Sequence, residues 1–268
     1  MSRAPRRIRL ALTVIGALTV SLSSWTVSPA PAAAAASTVV TIGFDDGTGD
    51  QLAALPILQA HGMTATFFVN TASIGDPEHL SWANLHSLFD AGNEIAGHTL
   101  HHANLAPLST AEARQEVCTD RNNLLAEGFP ATSFAYPFGS FDSGTEQVVR
   151  DCGYNSGRGV AGVSKTGPFA ETIPPLDPYA TRTPPNPKKA TKLSTLELYV
   201  QNAEANGGGW VQFVFHRLCE QQCGAYMITP AKLTAFLDFL QGEVAGGRVT
   251  VQTTAQVIGG PVQPPVPA

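Results

Sequence analysis

The residues best suited to chemistry are a pair of acids and a pair of histidines that follow apolar segments. Asp45 and Asp46 come directly after TVVTIGF, and adjacent carboxylates repel each other, so a cation is expected to relieve them. His98 and His102 lie four residues apart in GHTLHH, and two imidazoles at this spacing can reach one ion in a helix or tight turn. Taken singly, the motifs are also typical of an ordinary turn and of a solvent-facing histidine cluster, with His101 as a competing ligand.

Two further segments end in a histidine or in an aromatic turn. His216 closes the apolar run WVQFVFH, where a core histidine with satisfied hydrogen bonds is the simplest alternative. Tyr136, Pro137 and Phe138 close a fourth segment as an aromatic turn, which could equally serve packing. Four distant segments that end in such groups are a less accidental constellation than any one of them, and indicate a single site.

The segments before these residues are strand-like and alternate with helical patterns. A long irregular stretch, proline-rich from Gly162 to Pro187, precedes WVQFVFH. The alternation predicts an α/β fold, a distorted (β/α) barrel with about seven parallel strands in a single domain, counting weaker strands near Tyr154 and Tyr179. Functional groups gather where the strands of such a barrel end. The clearer strands are predicted at residues 38–44, 65–70, 93–97, 132–136, 210–216 and 248–252.

Helical patterns follow most of these strands. One contains Leu52, Leu55 and Leu58, and the next contains Trp82 and Leu85. A longer helix is predicted to begin at the Ser109 cap, because Glu112 stands at its third helical position and completes a capping box. Further helices are predicted near residues 146–150 and 229–240.

Composition and the N-terminal segment indicate a folded, exported protein. Of 268 residues, 43% are hydrophobic and 14% charged, which excludes disorder for most of the chain. Four arginines precede an apolar stretch and small residues up to Ala36, which predicts a signal peptide at residues 1–36. A membrane anchor is the alternative, but serines interrupt the apolar stretch before the roughly 18 residues that a span needs. The domain is then residues 37–258, and residues 259–268 (GGPVQPPVPA) are expected to form a Pro-rich flexible tail.

The charge of the remaining chain restricts its partners. Without residues 1–36 it has 12 Lys and Arg against 21 Asp and Glu, a formal charge of −9. This balance argues against nucleic acid as a partner and favours a neutral or amine-bearing polymer. We expect a secreted or cell-wall-associated monomer with no membrane span after cleavage.

Four cysteines in an exported chain predict two disulfides. Cys219 and Cys223 close a short loop, which leaves Cys118 to pair with Cys152 and staple one predicted helix to the end of the next. A zinc site of four thiolates is the alternative, but Cys118 and Cys152 are too far apart to supply a second short-spaced pair.

Residues from about Thr38 to Val251 resemble the polysaccharide deacetylases of carbohydrate esterase family 4, which share the NodB-homology domain. The resemblance lies in the motifs and in their order along the chain. The family's first motif, Thr- or Ser-Phe-Asp-Asp-Gly, corresponds to residues 43–47, with Gly43 in first place, and its His-Ser/Thr-x-x-His motif corresponds to residues 98–102. The third motif, Arg-x-Pro-Phe/Tyr, is matched only in its second half, with Ala135 in place of arginine, and the fourth, Asp-x-x-Asp-Trp/Tyr, is not evident. The residue that tunes the family's last histidine, matched by His216, is therefore unassigned.

This resemblance implies a secreted, metal-dependent hydrolase that removes N-acetyl groups from an N-acetylglucosamine-containing polysaccharide such as chitin or peptidoglycan. An O-deacetylase of acetylated xylan and a non-catalytic glycan-binding module are the alternatives. By the same resemblance Asp46, His98 and His102 hold Zn²⁺ or another divalent transition metal, Asp45 is the general base, and His216 protonates the leaving amine.

The resemblance also implies the groups around the reacting carbonyl. Phe138, through its backbone N–H, and Tyr136 are the expected oxyanion and substrate contacts. Because Ala135 stands where the family has the arginine that orients the base, Arg182 in YATRTP is our candidate for that role. A solvated loop arginine fits the local sequence equally well.

Overall fold

The computed structural model describes residues 38–221 and 223–268, together with Met1. The predicted signal peptide at residues 1–36 therefore lies, apart from Met1, outside the described residues. The strands are β1 (Thr38–Phe44), β2 (Thr66–Val69), β3 (Glu94–Gly97), β4 (Ser133–Ala135), β5 (Ser156–Gly162), β6 (Thr181–Thr183), β7 (Gly209–Phe215), β8 (Arg217–Leu218), β9 (Met227–Ile228) and β10 (Val249–Val251). The α-helices are α1 (Ala54–His61), α2 (Trp82–Asp90), α3 (Thr110–Ala126), α4 (Ser143–Asp151), α5 (Leu193–Ala205), α6 (Pro230–Ala245) and α7 (Thr254–Ile258). Short 3₁₀ helices occupy Gly49–Ala53, Thr71–Ser73 and Pro137–Gly139.

Seven parallel strands form a curled sheet in the order β7-β1-β2-β3-β4-β5-β6. β1 pairs along its whole length with β7, while the short β10 pairs with the first half of β1 and β2 pairs with its end. The two outer strands approach each other, because Gln212 of β7 donates a hydrogen bond to the carbonyl oxygen of Arg182 in β6 at 3.1 Å. The predicted α/β fold with about seven parallel strands in a single domain is confirmed as a curled half-barrel.

The central strands are buried on both faces, as their apolar and β-branched sequences predict. Every residue of β1 is buried. Phe44 at its end stacks on Phe67 of β2, with ring centroids 5.0 Å apart. Gly43 allows β7 to approach, since a Cβ atom there would lie 3.0 Å from the carbonyl oxygen of Phe213.

The predicted helix starts are confirmed where the sequence has a cap. The Ser109 side chain accepts from the N–H of Glu112, and the Glu112 side chain returns to the N–H of Ser109, which completes the capping box. α6 begins with Pro230 after Thr229, whose hydroxyl caps the helix. Two helices were not predicted, the short α7 and α5, of which α5 lies in the stretch interpreted as irregular. α5 is the longer of the two. It buries apolar side chains at three- and four-residue spacing, namely Leu196, Tyr199, Val200 and Ala203.

Both disulfides are present with the predicted pairing. Cys118 of α3 is joined to Cys152, the residue after α4, with Cα atoms 4.9 Å apart. Cys219 is joined to Cys223, with Cα atoms 6.6 Å apart, and closes the loop between β8 and β9. The first bond therefore fastens two helices, whereas the second shapes a loop next to the end of β7.

Residues 259–268, expected to form a flexible tail, make hydrogen bonds to α3. The guanidinium of Arg121, a fully buried residue of α3, donates to the carbonyl oxygens of Gln263 at 2.7 Å and Pro264 at 3.2 Å. Asn122 donates to the carbonyl oxygen of Val266 at 2.8 Å. A guanidinium has five donors and no acceptor, and a proline-rich segment presents carbonyl oxygens that no helix or sheet uses. This complementarity holds the tail against α3.

Within residues 38–221 and 223–268, none of the helices combines the length and the apolar character needed to cross a bilayer.

Candidate active site

The three residues predicted to bind a metal meet at one end of the sheet. Asp46 follows β1, and His98 follows β3. The Oδ1 atom of Asp46 lies 3.5 Å from Nε2 of His98 and 3.3 Å from Nε2 of His102. One ligand atom from each of the three residues lies within 4.8 Å of the other two. This spacing allows all three side chains to bind one ion.

The electrostatics of this cluster suit a cation. Oδ1 of Asp46 is buried and has no hydrogen-bond partner among the described residues by the geometric criteria that hydrogen bonds must meet. Burial opposes ionisation of Asp46, but the neighbouring imidazole of His98, with Nε2 at 3.5 Å, outweighs it and holds the pKa of this carboxyl well below its usual range. An ionised carboxylate therefore stands between two imidazoles with an acceptor to spare.

A hydrogen bond sets the orientation of the His98 ring. Its Nδ1 lies 2.8 Å from the carbonyl oxygen of Ala135. Because a carbonyl can only accept, we assign the proton to Nδ1, which leaves the lone pair of Nε2 directed at Asp46. Although burial favours neutral His98, the neighbouring carboxylates of Asp46 and Asp45 raise its pKa. Protons and a metal would therefore compete for this ring.

Several residues around the cluster have left-handed backbone conformations, which non-glycine residues rarely adopt. Such conformations cost on the order of 1–3 kcal/mol each and occur where the surrounding structure dictates them, often at functional sites. The sharp bends direct side chains that regular strands would send elsewhere. The φ angles are 75° at Asp46, 68° at Thr99, 58° at His102 and 61° at Phe138.

Arg158, rather than Arg182, contacts the expected base. Nη2 of Arg158 lies 2.5 Å from Oδ1 of Asp45, and both side chains are buried. Arg182 instead makes two hydrogen bonds to Glu171, at 2.9 and 2.8 Å, so its expected role beside Asp45 is wrong. The reason lies in the register of the sheet, because Arg158 on β5 is paired directly with Ala135 on β4. The arginine absent from position 135 is thus supplied by the adjacent position of the neighbouring strand.

One cavity of about 460 Å³ collects the expected site residues other than Arg182. Asn186 and Tyr226 also line it, and the sequence identified neither of them nor Arg158, which contacts Asp45 without lining the cavity. Arg158 had a detectable signal, since it is a lone charge between glycines in a strand-like segment, whereas Asn186 and Tyr226 lie in loops without a recognisable pattern. The lining residues are Asp45, Asp46, His98, His102, Tyr136, Phe138, Val160, Asn186, His216 and Tyr226.

The two aromatic residues of the third motif differ in what they offer the cavity. The Tyr136 side chain belongs to the core: its hydroxyl donates to the carbonyl oxygen of Tyr179 at 3.0 Å, and its ring stacks on Phe141. Phe138 is 69% exposed, and its ring centroid lies 4.6 Å from that of His102. Phe138 is therefore the residue of this pair with a side-chain surface available to a ligand.

His216 follows β7 and is held through its backbone. Nε2 of the buried Gln51 donates to the carbonyl oxygens of both His216, at 2.7 Å, and Asp45, which ties the ends of β7 and β1 together. Nδ1 of His216 is buried without a partner among the described residues, and its ring centroid lies 5.4 Å from that of Tyr226. His101 faces Glu116 at 2.9 Å and lies outside the cavity.

Comparison with known proteins agrees with the recognised motifs. Residues 33–157 match the family model described as polysaccharide deacetylase. The Bacillus subtilis (strain 168) protein named "Putative polysaccharide deacetylase YxkH" is 33% identical over 121 residues, which are 44% of this chain and 43% of that protein. The match thus spans less than half the length of this curated relative.

Solved structures show the same fold over a larger part of the chain. A family 4 carbohydrate esterase from Streptomyces lividans, solved with acetate, superposes with a TM-score of 0.54 at 18% identity, covering 81% of this chain and 93% of that one. A family 4 pseudoenzyme from Bacillus anthracis has a TM-score of 0.52 at 15% identity, covering 83% and 66%. At these identities the likeness shows the fold alone.

Proposed function

We propose that this chain is a metal-dependent hydrolase that removes N-acetyl groups from a polysaccharide containing N-acetylglucosamine, such as chitin or peptidoglycan. Two findings support the proposal: residues 33–157 match the family model described as polysaccharide deacetylase, and the fold is that of a solved family 4 carbohydrate esterase. The observation that carries this proposal is the convergence of Asp46, His98 and His102 in a cavity that also holds Asp45 and His216. A glycan-binding module has no need of an acid and a base beside a cation site.

The donor set fits a divalent transition metal, Zn²⁺ in the first place. Two imidazole nitrogens and one carboxylate oxygen are ligands that Zn²⁺ accepts, and three protein ligands leave a position for substrate. The unpartnered buried oxygen of Asp46 is the specific feature that a cation would satisfy. When bound, the metal would polarise the acetyl carbonyl and lower the pKa of a water molecule.

Asp45 is our candidate for the general base that takes a proton from the attacking water. The Arg158 guanidinium holds its Oδ1 in place at 2.5 Å, which leaves Oδ2 to receive the proton. The carbonyl oxygen of Asp45 accepts from Gln51, so that backbone and side chain are both fixed. A base held in this way keeps its geometry through the reaction.

His216 and the turn at Phe138 complete the proposed reaction. His216 donates a proton to the nitrogen of the departing sugar amine, while the N–H of Phe138 stabilises the oxyanion that forms on the acetyl group. The bond between the carbonyl carbon and the nitrogen breaks, so acetate and a free amino sugar unit are the products.

We also propose that the protein acts outside the cell as a monomer. The arginines and apolar run before Ala36 support export, and the two disulfides suit an oxidising compartment. A polymeric substrate in the wall or medium would be consistent with this location.

Acetate release from N-acetylated chitin oligomers and from peptidoglycan tests the proposed function. We expect release by the Zn²⁺-loaded protein, its loss after treatment with a strong chelator, and its return after metal is added back. Glycan binding without acetate release by the loaded protein would contradict the proposal and favour the non-catalytic module.

A further inference from the structure

Three side chains of the active-site cavity each have a buried polar atom without a hydrogen-bond partner among the described residues. These atoms are Oδ1 of Asp46, Nδ1 of His216 and Oδ1 of Asn186. A buried polar group that makes no hydrogen bond is costly, so each one calls for an explanation. The proposed metal site uses the oxygen of Asp46, and the proposed proton transfer uses the imidazole of His216. Asn186 is not accounted for by either role.

Asn186 lies on a stiff segment between β6 and α5. Its sequence, TPPNP, places Pro185 before Asn186 and Pro187 after it, and each proline fixes its own φ angle. Thr183 and Pro187 are buried, so the segment is anchored on both sides of Asn186. The backbone that carries Asn186 is therefore held at the cavity wall, so that only the side-chain torsions have to be ordered when a ligand binds.

The other polar side chains on this wall differ from Asn186 in chemistry. They are the acids and histidines of the proposed reaction and the phenol groups of Tyr136 and Tyr226. Oδ1 of Asp45 is engaged with Arg158, and the hydroxyl of Tyr136 with Tyr179. Asn186 is thus the neutral amide among the lining residues, and its buried oxygen can only accept a hydrogen bond.

Oδ1 of Asn186 lacks a hydrogen-bond donor. Only one of the two substrate classes that the site could hydrolyse supplies a donor next to the reacting carbonyl. An acetamide carries an N–H next to the carbonyl that is attacked, whereas an acetate ester has an oxygen without a hydrogen at that place. On the basis of the proposed function, we propose that Asn186 is a specificity-determining residue that accepts a hydrogen bond from the acetamide N–H of the substrate. The site then favours N-acetyl over O-acetyl groups.

The expected size of this preference follows from the hydrogen bond that the oxygen gains. Oδ1 of Asn186 is already unpaired in the free protein, so an ester in the same pose leaves it unpaired at no further cost. The amide N–H supplies the missing hydrogen bond, which strengthens transition-state binding by roughly ten- to a hundredfold. A sugar hydroxyl would be an alternative donor, but hydroxyls are common to both substrate classes. Comparing amide with ester therefore separates the two possibilities.

The test measures kcat/KM of the metal-loaded protein and of Asn186→Ala on two matched oligosaccharides. One carries the 2-acetamido group, and the other carries 2-O-acetyl at the same carbon of the same sugar. We expect Asn186→Ala to lose roughly ten- to a hundredfold on the amide and less than about twofold on the ester. Asn186→Asp retains an acceptor and should retain the ratio of amide to ester. Asn202→Ala on α5, outside the cavity, is the matched control and should change neither rate.

Equal losses on amide and ester would overturn the assignment, because Asn186 would then contact a group common to both substrates or act through the fold. A shift of the pH profile by Asn186→Ala with both substrates would also overturn it, since Asn186 would then act on His216. Acetate release from neither substrate by the parent would instead contradict the proposed function itself. The two failures are therefore distinguishable.

Discussion

At the scale of single residues, the pairing of Asp45 with Arg158 is the arrangement that depends most on tertiary structure. Arg158 is buried, and its guanidinium lies over the ring of Phe68, 4.7 Å from the centroid. Removing one partner of a buried ion pair leaves an uncompensated charge and costs about 3–5 kcal/mol of stability. The arginine therefore has both a structural effect and an effect on the geometry of the proposed base.

The first prediction exchanges the side chains at positions 135 and 158, which are paired between β4 and β5. Arg158→Ala should lower kcat/KM for acetate release by about a hundredfold with the metal retained, because Asp45 loses its orientation. The double change Ala135→Arg with Arg158→Ala places the guanidinium on β4 and should recover part of the lost rate. Steady-state kinetics and metal content check both variants.

Arg182→Ala is the control for this exchange. Its guanidinium is paired with Glu171, so the rate should stay within about twofold of the parent. A loss of rate in Arg182→Ala as large as in Arg158→Ala would show that the contact with Asp45 does not orient the base.

The second prediction separates the two adjacent acids. Asp45→Asn should bind metal as the parent does and lose turnover by at least about a hundredfold, since an amide cannot take the proton. Asp46→Ala should lose metal as well, because it removes one of the three ligands. Metal content and acetate release are measured on the same samples, and equal loss of metal in both variants would mean that the roles are merged or reversed.

At the scale of elements, the loop from His98 to His102 is fastened from behind by α3 and by the end of β2. The carboxylate of Asp120 on α3 accepts from the N–H of His98 at 3.1 Å and from the N–H of Thr71 at 3.0 Å. Asn70 donates to the carbonyl oxygens of His98 and Thr99. A loop with left-handed residues needs such support, because its own backbone conformation is unfavourable.

The third prediction concerns Asp120. Asp120→Ala leaves the buried N–H of Thr71 without an acceptor, whereas the N–H of His98 keeps the carbonyl oxygen of Val69 at 3.1 Å. The change should lower the free energy of unfolding by about 1–3 kcal/mol at acid pH. Burial raises the pKa of Asp120 to about 7, from 3.8, so the folded state binds this proton more tightly than the unfolded state. The advantage of the parent should therefore be full below pH 3.8 and shrink as the pH rises towards about 7.

Urea unfolding at several pH values measures this difference. Glu116→Ala is the control, because that carboxylate contacts His101 outside the cavity. A difference between parent and Asp120→Ala that grows from acid to neutral pH would contradict the raised pKa.

The elements differ in how well the sequence predicted them. β1 and β7 were predicted to within one residue, because a strand buried on both faces is a continuous apolar run with clear ends. α5 was interpreted as part of an irregular stretch, since the prolines before it dominated that segment. β5 and β6 were only weak expectations, as glycine and arginine in β5 do not form an apolar run.

The site was predictable to the extent that its residues end well-marked strands. Asp45, Asp46, His98, His102 and His216 are of this kind, and the cavity brings them together. Arg158 was missed because its contact depends on the register between β4 and β5, which no local pattern encodes. Asn186 and Tyr226 reach the cavity from loops whose paths are set by the packing of the whole domain.

At the scale of the whole molecule, the C-terminal segment is part of the folded structure. Arg121 donates to two carbonyl oxygens of the tail and to those of Ala131 and Cys152. Composition predicted flexibility, because proline-rich segments form no helix or sheet. That reasoning left out the demand of a buried guanidinium for acceptors.

The fourth prediction follows from this docking. Removal of residues 261–268 should lower the free energy of unfolding by about 1–3 kcal/mol, because donors of Arg121 lose their acceptors. The proposed activity should stay within about twofold of the parent, since no residue of this segment lines the active-site cavity. Thermal unfolding and acetate release check the two parts, and unchanged stability would show that the tail contacts contribute nothing.

The side-by-side placement of Ala135 and Arg158 also affects how relatives of this protein can be found. A linear pattern that demands arginine two positions before the proline rejects this chain, although the guanidinium reaches the same carboxylate. Searches that treat positions 135 and 158 as alternatives would recover chains that such a pattern discards as degenerate. Conversely, a chain with small residues at both positions is the one to suspect of having lost catalysis.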